Sequence, residues 1–328
     1  MKGRVLITGA SGFVGYHLIT EALKNNLDVY AAVRKSSQVD HLKDLNIQYT
    51  YPDFTNVESL KQEFQHKQYD YVIHAAGVTK ARSAQEYNYI NATYTRNIAE
   101  AAVSINYHFK KMVFISSLAA VGPLHTSNGI ITELNEPHPV TAYGHSKLKA
   151  ENELSRFTSL NYTILRPTAV YGPREKDIYI VLRQIARGFE PYIGSKAQKL
   201  SFVYVTDLAK ASIAALHGGN HKIYHLSDGN FYDRYEMADI TKSVLRTKAI
   251  KLHLPLGLVK VIAAASQSIG KLKNQASALN IEKLKELTAA NWHCSIEEAK
   301  MDLGFYPEYN LKKGLTETLA WYKANQWL

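Results

Sequence analysis

Arg4-Val5-Leu6-Ile7-Thr8-Gly9-Ala10-Ser11-Gly12-Phe13-Val14-Gly15 sets the reading of the whole chain. The run Arg4 to Thr8 has the composition of a short buried strand. It meets glycines spaced G-x-x-G-x-x-G, at Gly9, Gly12 and Gly15, and the amphipathic pattern of a helix follows over Phe13 to Lys24. Glycines at such a junction let the chain turn sharply and let backbone N–H groups approach a pyrophosphate at the helix N-terminus. They also let helix and strand pack closely. The spacing is one residue wider than G-x-G-x-x-G, and an ordinary tight turn could use the same residues. Its position at the first strand of a βαβ unit favours the nucleotide.

The alternation begun there continues outward. Strands are expected at Asp28 to Val33, Ile47 to Tyr51, Tyr71 to Ala75, Lys111 to Ile115 and Tyr162 to Arg166. Helices are expected at Val57 to Phe64 behind an Asn56 cap, at Gln85 to Ile105 and at Thr141 to Phe157. This is the pattern of an α/β, doubly wound parallel sheet of the Rossmann type. After Pro167 the rhythm changes. Tyr171-Gly172-Pro173 reads as a turn, Ile178 to Arg187 as a helix, Pro191 to Gln198 as a loop, and Leu200 to Tyr204 and Lys222 to Leu226 as strands around a helix begun near Asp207. Helices follow to the end, closing with Leu315 to Asn325. The expected organisation is a dinucleotide-binding domain over 1–175, with a smaller, mostly helical substrate portion over 176–328. The strand and helix near 200–226 return to the first domain.

Composition bounds the function. In 328 residues, a 46% hydrophobic and 21% charged chain can bury a sizeable core, which excludes disorder and fibrous repeats. The single cysteine, Cys294, cannot form an intramolecular bridge and fits a reducing compartment, so a cytoplasmic location is expected. No targeting segment is expected, because the apolar run Val5 to Ile7 meets Thr8-Gly9 far short of a signal core. Leu254 to Ile269, broken by Lys260 and Gln267, falls short of the ~20 residues of a membrane span and reads as an amphipathic or buried helix. The net charge of +10 is spread along the chain without a dense basic block, which argues against nucleic acid and fits an anionic cofactor. No metal is expected.

The second strand chooses the cofactor. An acidic residue at its end would bind the ribose 2′-hydroxyl of NAD. Instead Val33 is followed by Arg34-Lys35-Ser36, cationic and hydroxyl groups suited to a 2′-phosphate, so NADP is favoured over NAD. Acid/base chemistry is suggested by Tyr143 and Lys147, one turn apart on a helix, where a cation can draw a phenol (ordinarily at a pKa of ~10) towards working pH. The same Tyr-x-x-x-Lys spacing recurs at Tyr107/Lys111, Tyr192/Lys196 and Tyr309/Lys313. Those three run from a helix end into a strand or lie in Gly- or Pro-flanked loops. Only Tyr143/Lys147 also lies between strands whose C-terminal ends line the ligand crevice, beside Ser116-Ser117.

Taken together, Thr8 to Gly15, Asp53, His74-Ala75-Ala76-Gly77, Asn91, Ser116-Ser117, Tyr143-x-x-x-Lys147, Arg166-Pro167, Tyr171-Gly172-Pro173-Arg174 and Tyr204-Val205-Thr206-Asp207 resemble, in this order and over nearly the whole chain, the extended short-chain dehydrogenases/reductases of the epimerase/dehydratase-like superfamily. The resemblance implies that Ser117, Tyr143 and Lys147 form a catalytic triad with Asn91 as helper. It implies cofactor contacts from Gly9, Gly12, Phe13, Val14 and Gly15, from Asp53 and Phe54 at the adenine, from Ala75, Ala76 and Gly77 at the ribose, and from Pro167 at the nicotinamide. Lys147 would serve both Tyr143 and the ribose. Thr79, Leu118, Tyr171 and Arg174 are expected to face a small-molecule substrate. A homodimer through the two long helices, Gln85 to Ile105 and Thr141 to Phe157, is a further family expectation.

Two departures narrow the chemistry. Sugar-nucleotide 4,6-dehydratases carry Thr-Asp-Glu where this chain has Ser117-Leu118-Ala119, so the acid/base pair that eliminates water is missing. Sugar-nucleotide epimerases place an arginine on the substrate diphosphate where this chain has Leu200, and the neighbouring Lys199 offers only a point charge. Val29 to Ser36 and Ser117-Leu118 look more like dihydroflavonol-reductase-like and hydroxysteroid-dehydrogenase-like members. The expectation is therefore an NADP(H)-dependent oxidoreductase acting on a carbonyl/alcohol pair. The alternatives are a nucleotide-sugar epimerase and, against the intact triad, a non-catalytic NADP sensor.

Overall fold

The computed structural model describes residues 2–272 and 280–328. Its strands are β1 Arg4–Thr8, β2 Asp28–Ala32, β3 Gln48–Thr50, β4 Tyr71–His74, β5 Lys111–Ile115, β6 Tyr162–Pro167, β7 Ala169–Tyr171, β8 Phe189–Ile193, β9 Phe202–Tyr204, β10 Lys222–Leu226 and β11 Ile250–Leu254. The helices are α1 Phe13–Lys24, α2 Val57–Lys67, α3 Ala84–Asn88, α4 Tyr94–Val103, α5 Ala142–Leu154, α6 Asp177–Ala186, α7 Val205–Ala214, α8 Glu236–Leu245, α9 Leu256–Leu272, α10 Ile281–Leu287, α11 Glu297–Leu303 and α12 Leu311–Ala324. Seven strands form one parallel sheet in the order β10-β6-β5-β4-β1-β2-β3. The order reverses between β1 and β4, which places a ligand crevice at their C-terminal ends.

Both faces of this sheet are covered, as a parallel sheet requires. Successive residues of β1 divide between them: Val5 and Ile7 pack with Leu18 and Ile19 of α1 and Leu208 of α7. Leu6 faces the other way, with Leu60 and Phe64 of α2, Ile98 of α4 and Leu154 of α5. The expected Asn56 cap is formed, its side chain accepting from Ser59 N–H. Residues 205–226 supply α7 against α1 and the edge strand β10. A third core joins Tyr171, Leu182, Phe202, Tyr204, Leu315 and Tyr322.

Several expectations give way to long-range contacts. β9 pairs with β7 outside the main sheet, and Leu200 is left in an isolated bridge to Tyr232. The stretch from Pro191, read as a loop, begins inside β8, which pairs in parallel with β11. The long helix expected over Gln85 to Ile105 is interrupted by a π turn at Tyr89–Thr93. The closing helix starts earlier, at Leu311, where Asn310 accepts from Lys313 N–H. Among the described residues no helix is long and apolar enough to cross a membrane.

Candidate active site

The turn from β1 to α1 is shaped for an anion. Gly9 has φ +70°, and a Cβ there would stand 2.8 Å from the Ala75 carbonyl; at Gly15 it would overlap the Gly9 carbonyl oxygen. Gly12 N–H donates to Gly9 O at 2.9 Å and closes the turn. Gly12 caps α1 without a side-chain hydrogen bond, and no acidic residue occupies the first turn through Phe13 and Val14. Uncapped N–H groups at the positive end of the helix dipole fit a pyrophosphate.

At the far end of the crevice, Arg34, Lys35 and Ser36 are exposed just past β2. The only carboxylate on β2, Asp28, is at its start and accepts from Gln48 Nε2 at 3.4 Å. The charges of Arg34 and Asp53 both act on the Tyr94 phenol, and the Phe54 ring lies 5.9 Å from that of Tyr94. Asp53 Oδ1 accepts from both the N–H (2.9 Å) and the hydroxyl (2.7 Å) of Thr55, which holds its carboxyl below the usual range. Arg34, Asp53, Phe54 and Tyr94 thus share one neighbourhood.

The end of β4 is fixed by a network that the sequence contains but does not announce. His74 Nδ1 is 2.7 Å from the Thr8 hydroxyl, its Nε2 is 3.1 Å from that of Thr95, and Ala76 N–H donates to Thr8 Oγ1 at 2.9 Å. Burial, helped by the Lys147 charge, lowers the His74 pKa to about 3 and keeps the ring neutral. Asn91, inside the π turn, is 1% exposed. Its Oδ1 accepts from Val78 N–H at 2.8 Å, and its Nδ2 donates to Val78 O at 3.1 Å and to Ser146 Oγ at 2.9 Å. It ties the loop after β4 to α5. Ala75, half-buried, and Gly77, exposed, continue that loop, where a Cβ on Gly77 would stand 2.9 Å from Asn91 Oδ1.

Helix α5 begins where Thr141 Oγ1 accepts from Gly144 N–H at 3.1 Å, and it presents Tyr143, Lys147 and Glu151 at successive turns. Burial pushes the Tyr143 phenol up to about 12; a hydrogen bond with Ser117 works against this, while the nearby Glu286 and Tyr87 add to it. Lys147 is not among the groups that act on the phenol here. The Lys147 ammonium donates to Ile115 O at 2.8 Å and sits 4.8 Å from the centre of the Phe114 ring, and burial lowers its pKa to about 8. One turn on, Glu151 holds buried Arg166 through two hydrogen bonds, of 3.0 and 2.6 Å, and accepts from the Ser116 hydroxyl. The adjacent serines are thereby separated: Ser116 belongs to the ion pair, while Ser117 Oγ accepts from Ala119 N–H at 3.2 Å and is near enough to Tyr143 to act on its phenol. Pro167 closes β6, buried, beside them.

The other Tyr/Lys pairs are engaged elsewhere. Lys111 donates to Gly218 O at 2.7 Å, Tyr192 of β8 bonds Glu190, and Lys313, on α12 and not in a loop, lies 4.2 Å from the centre of the Tyr309 ring.

Of the four residues expected to face substrate, Thr79 is exposed near the site, its carbonyl accepting from Tyr87 Oη at 3.0 Å, and the Tyr87 ring is 6.2 Å from that of Tyr143. Leu118, 2% exposed, packs instead with Val121, Ile131 and Cys294. Tyr171 is a core residue whose hydroxyl donates to Asn310 O at 3.2 Å. The Arg174 guanidinium is 4.1 Å from the centre of the Tyr16 ring and 5.4 Å from that of Trp321. Sequence reasoning also missed Arg234, which donates to Lys196 O at 2.7 Å and Ile193 O at 3.0 Å, and Glu282, whose carboxylate accepts from Ala142 N–H at 2.7 Å. No local signal marks either, since their partners lie far along the chain.

A family model described as the NAD dependent epimerase/dehydratase family matches residues 5–227. The chain is similar to the ceramide reductase of Caulobacter vibrioides, 27% identical over 100% of this chain and 96% of that one. It is also similar to a putative UDP-glucose 4-epimerase of Methanocaldococcus jannaschii, 28% identical over 98% of this chain and 99% of that one. Its fold matches the crystal structure of the Thermus thermophilus UDP-glucose 4-epimerase in complex with NAD, with a TM-score of 0.78 and 20% identity over 98% of this chain and 99% of that one.

Proposed function

The chain belongs to the NAD-dependent epimerase/dehydratase family, and from that premise we propose that it is an NADP(H)-dependent oxidoreductase interconverting a carbonyl and a secondary alcohol, with Tyr143 as the acid/base. Gly9 to Gly15 and the uncapped start of α1 would hold the pyrophosphate, and Arg34 and Lys35 the 2′-phosphate. Asp53 and Phe54 would flank the adenine, Ala75 to Gly77 and Lys147 the ribose, and Pro167 the nicotinamide. Residues 176–328, apart from α7 and β10, would serve the substrate.

When bound, the reduced nicotinamide supplies the hydride. Ser117 Oγ and Tyr143 Oη would hydrogen-bond the substrate carbonyl oxygen. A phenol with its pKa raised to about 12 stays protonated near neutrality, so Tyr143 Oη is set to donate a proton to the oxygen as it becomes an alkoxide. Asn91, through Val78 and Ser146, would keep the loop after β4 in register with α5.

The observation that carries the reductase reading is Leu200 at the position of the diphosphate arginine, with three arginines engaged within the fold and Arg183, exposed on α6, as the cation that would serve the alternative. Arg166 is bound to Glu151, Arg174 is stacked between Tyr16 and Trp321, and Arg234 is spent on two carbonyls. The likeness to a ceramide reductase over the full chain agrees with an apolar carbonyl substrate. The equally extended likeness to a putative UDP-glucose 4-epimerase supports the second reading, nucleotide-sugar epimerisation.

The test is fluorescence titration with NADPH and NADH, followed by an NADPH-oxidation screen over long-chain ketones. NADPH should bind more tightly, and Arg34→Ala should narrow the gap by roughly 10- to 150-fold, the loss of a charge-assisted contact. Equal affinities would overturn the cofactor assignment. Strong thermal stabilisation by UDP or dTDP, with no turnover of ketones, would move the assignment to the epimerase.

A further inference from the structure

The β8–β11 ribbon and helix α9 turn apolar side chains to solvent. In the parallel register Ile250 pairs with Phe189, Leu252 with Pro191 and Leu254 with Ile193. Phe189 and Ile250 are 51% and 68% exposed, and Leu252 and Leu254 are exposed beside them. Helix α9 continues the face. It buries Val259 and Ala263 against Leu284 of α10 and Ile193 of β8. Its opposite side, which in a surface helix is normally polar, carries Leu258, Val261 and Ile262, with Val261 67% exposed. Contiguous apolar exposure of this kind marks an interaction surface.

Charge identifies the partner. From 243 to 281 the chain has six cations (Arg246, Lys248, Lys251, Lys260, Lys271 and Lys273) and no Asp or Glu. Arg246, Lys248, Lys251 and Lys260 are exposed. Two copies meeting through this face would set like charge against like charge. An apolar face rimmed by lysine and arginine, on a helix whose described residues are not long and apolar enough to cross a bilayer, has the chemistry of an interfacial segment attracted by anionic headgroups. We propose that the β8–β11 ribbon and α9 dock this protein on the surface of an anionic phospholipid bilayer. The face borders the candidate site, since α10, packed on α9, sends Glu282 to the first turn of the helix that carries Tyr143. The inference goes beyond the redox reading and does not depend on it.

The test is co-sedimentation of the full chain with vesicles of phosphatidylcholine alone or with phosphatidylserine added, in low and high salt. Binding is expected to the phosphatidylserine vesicles and to weaken with salt. Val261→Asp combined with Ile262→Asp should abolish it, and Lys248→Glu combined with Lys260→Glu should weaken it roughly tenfold or more. Circular dichroism melts of both variants check that these exposed substitutions leave the fold intact. The salt response of the unaltered chain is a readout that needs no variant. Failure to sediment with phosphatidylserine vesicles at low salt would overturn the proposal. So would binding unchanged by the two aspartates, or a self-associated chain that those aspartates render monomeric, since the face would then be covered by a second copy.

Discussion

Tyr143 and Lys147 are pushed in opposite directions by the same cause, burial, the phenol up to about 12 and the ammonium down to about 8. On the proposed mechanism, Tyr143→Phe removes only the proton donor. Turnover should fall by about 10²- to 10⁴-fold or more, with NADPH affinity nearly intact by fluorescence titration. Lys147→Ala should damage both, because the ammonium would serve the ribose as well. As pH rises through about 8 Lys147 loses its charge, so kcat/KM for reduction should decline across that interval in a pH profile; a profile flat well above it would contradict the assigned role. The Tyr/Lys pair was legible because helical spacing and position between two strands single it out from the three other pairs of the same spacing. The fates of Tyr171 and Arg174 were not, because Asn310 and Trp321, which engage them, lie far along the chain.

Among the elements, the π turn at Tyr89–Thr93 shows where local patterning fails. Residues 85–105 have helical periodicity throughout, and the interruption accompanies Asn91 bonding to Val78 and Ser146, partners outside the helix. Asn91→Ala should leave Val78 N–H unpaired and cost about 1–3 kcal/mol in denaturant unfolding. Glu151→Ala would strand the buried Arg166 guanidinium and should cost about 3–5 kcal/mol, much of it recovered when Arg166→Met is added. A double change as damaging as the single one would show that the ion pair is not the source. The β8–β11 ribbon escaped sequence reading because each strand is short, one contains Pro191, and each is completed only by the other. By contrast β1 and α1 announce themselves, since strand, glycine turn and helix are contiguous.

At the scale of the molecule, three histidines are buried in neutral form: His17 lowered to about 4, and His74 and His225 each to about 3, with desolvation the main cause in all three. Their folded pKa values lie below the unfolded one, so the unfolded chain binds more protons and stability is lost as pH falls below about 6.5. Each should cost about 2 kcal/mol at pH 5. The melting temperature should therefore drop between neutrality and pH 5, and His225→Leu, at a fully buried ring, should flatten that drop. The βα alternation through Arg166 made the sheet readable as a whole, while the C-terminal third, held by aromatic contacts among distant segments, was readable only in part. The placement of β10 beside β6 also governs the order in which the molecule can be made. Five strands of the sheet precede β6 in the chain, yet its outer neighbour is not synthesised until residues 222–226, after the whole excursion through β7, α6, β8, β9 and α7. A nascent chain therefore carries β6 with an unsatisfied edge through that interval, and ribosome stalling before Lys222 should yield a species that aggregates or is held by a chaperone.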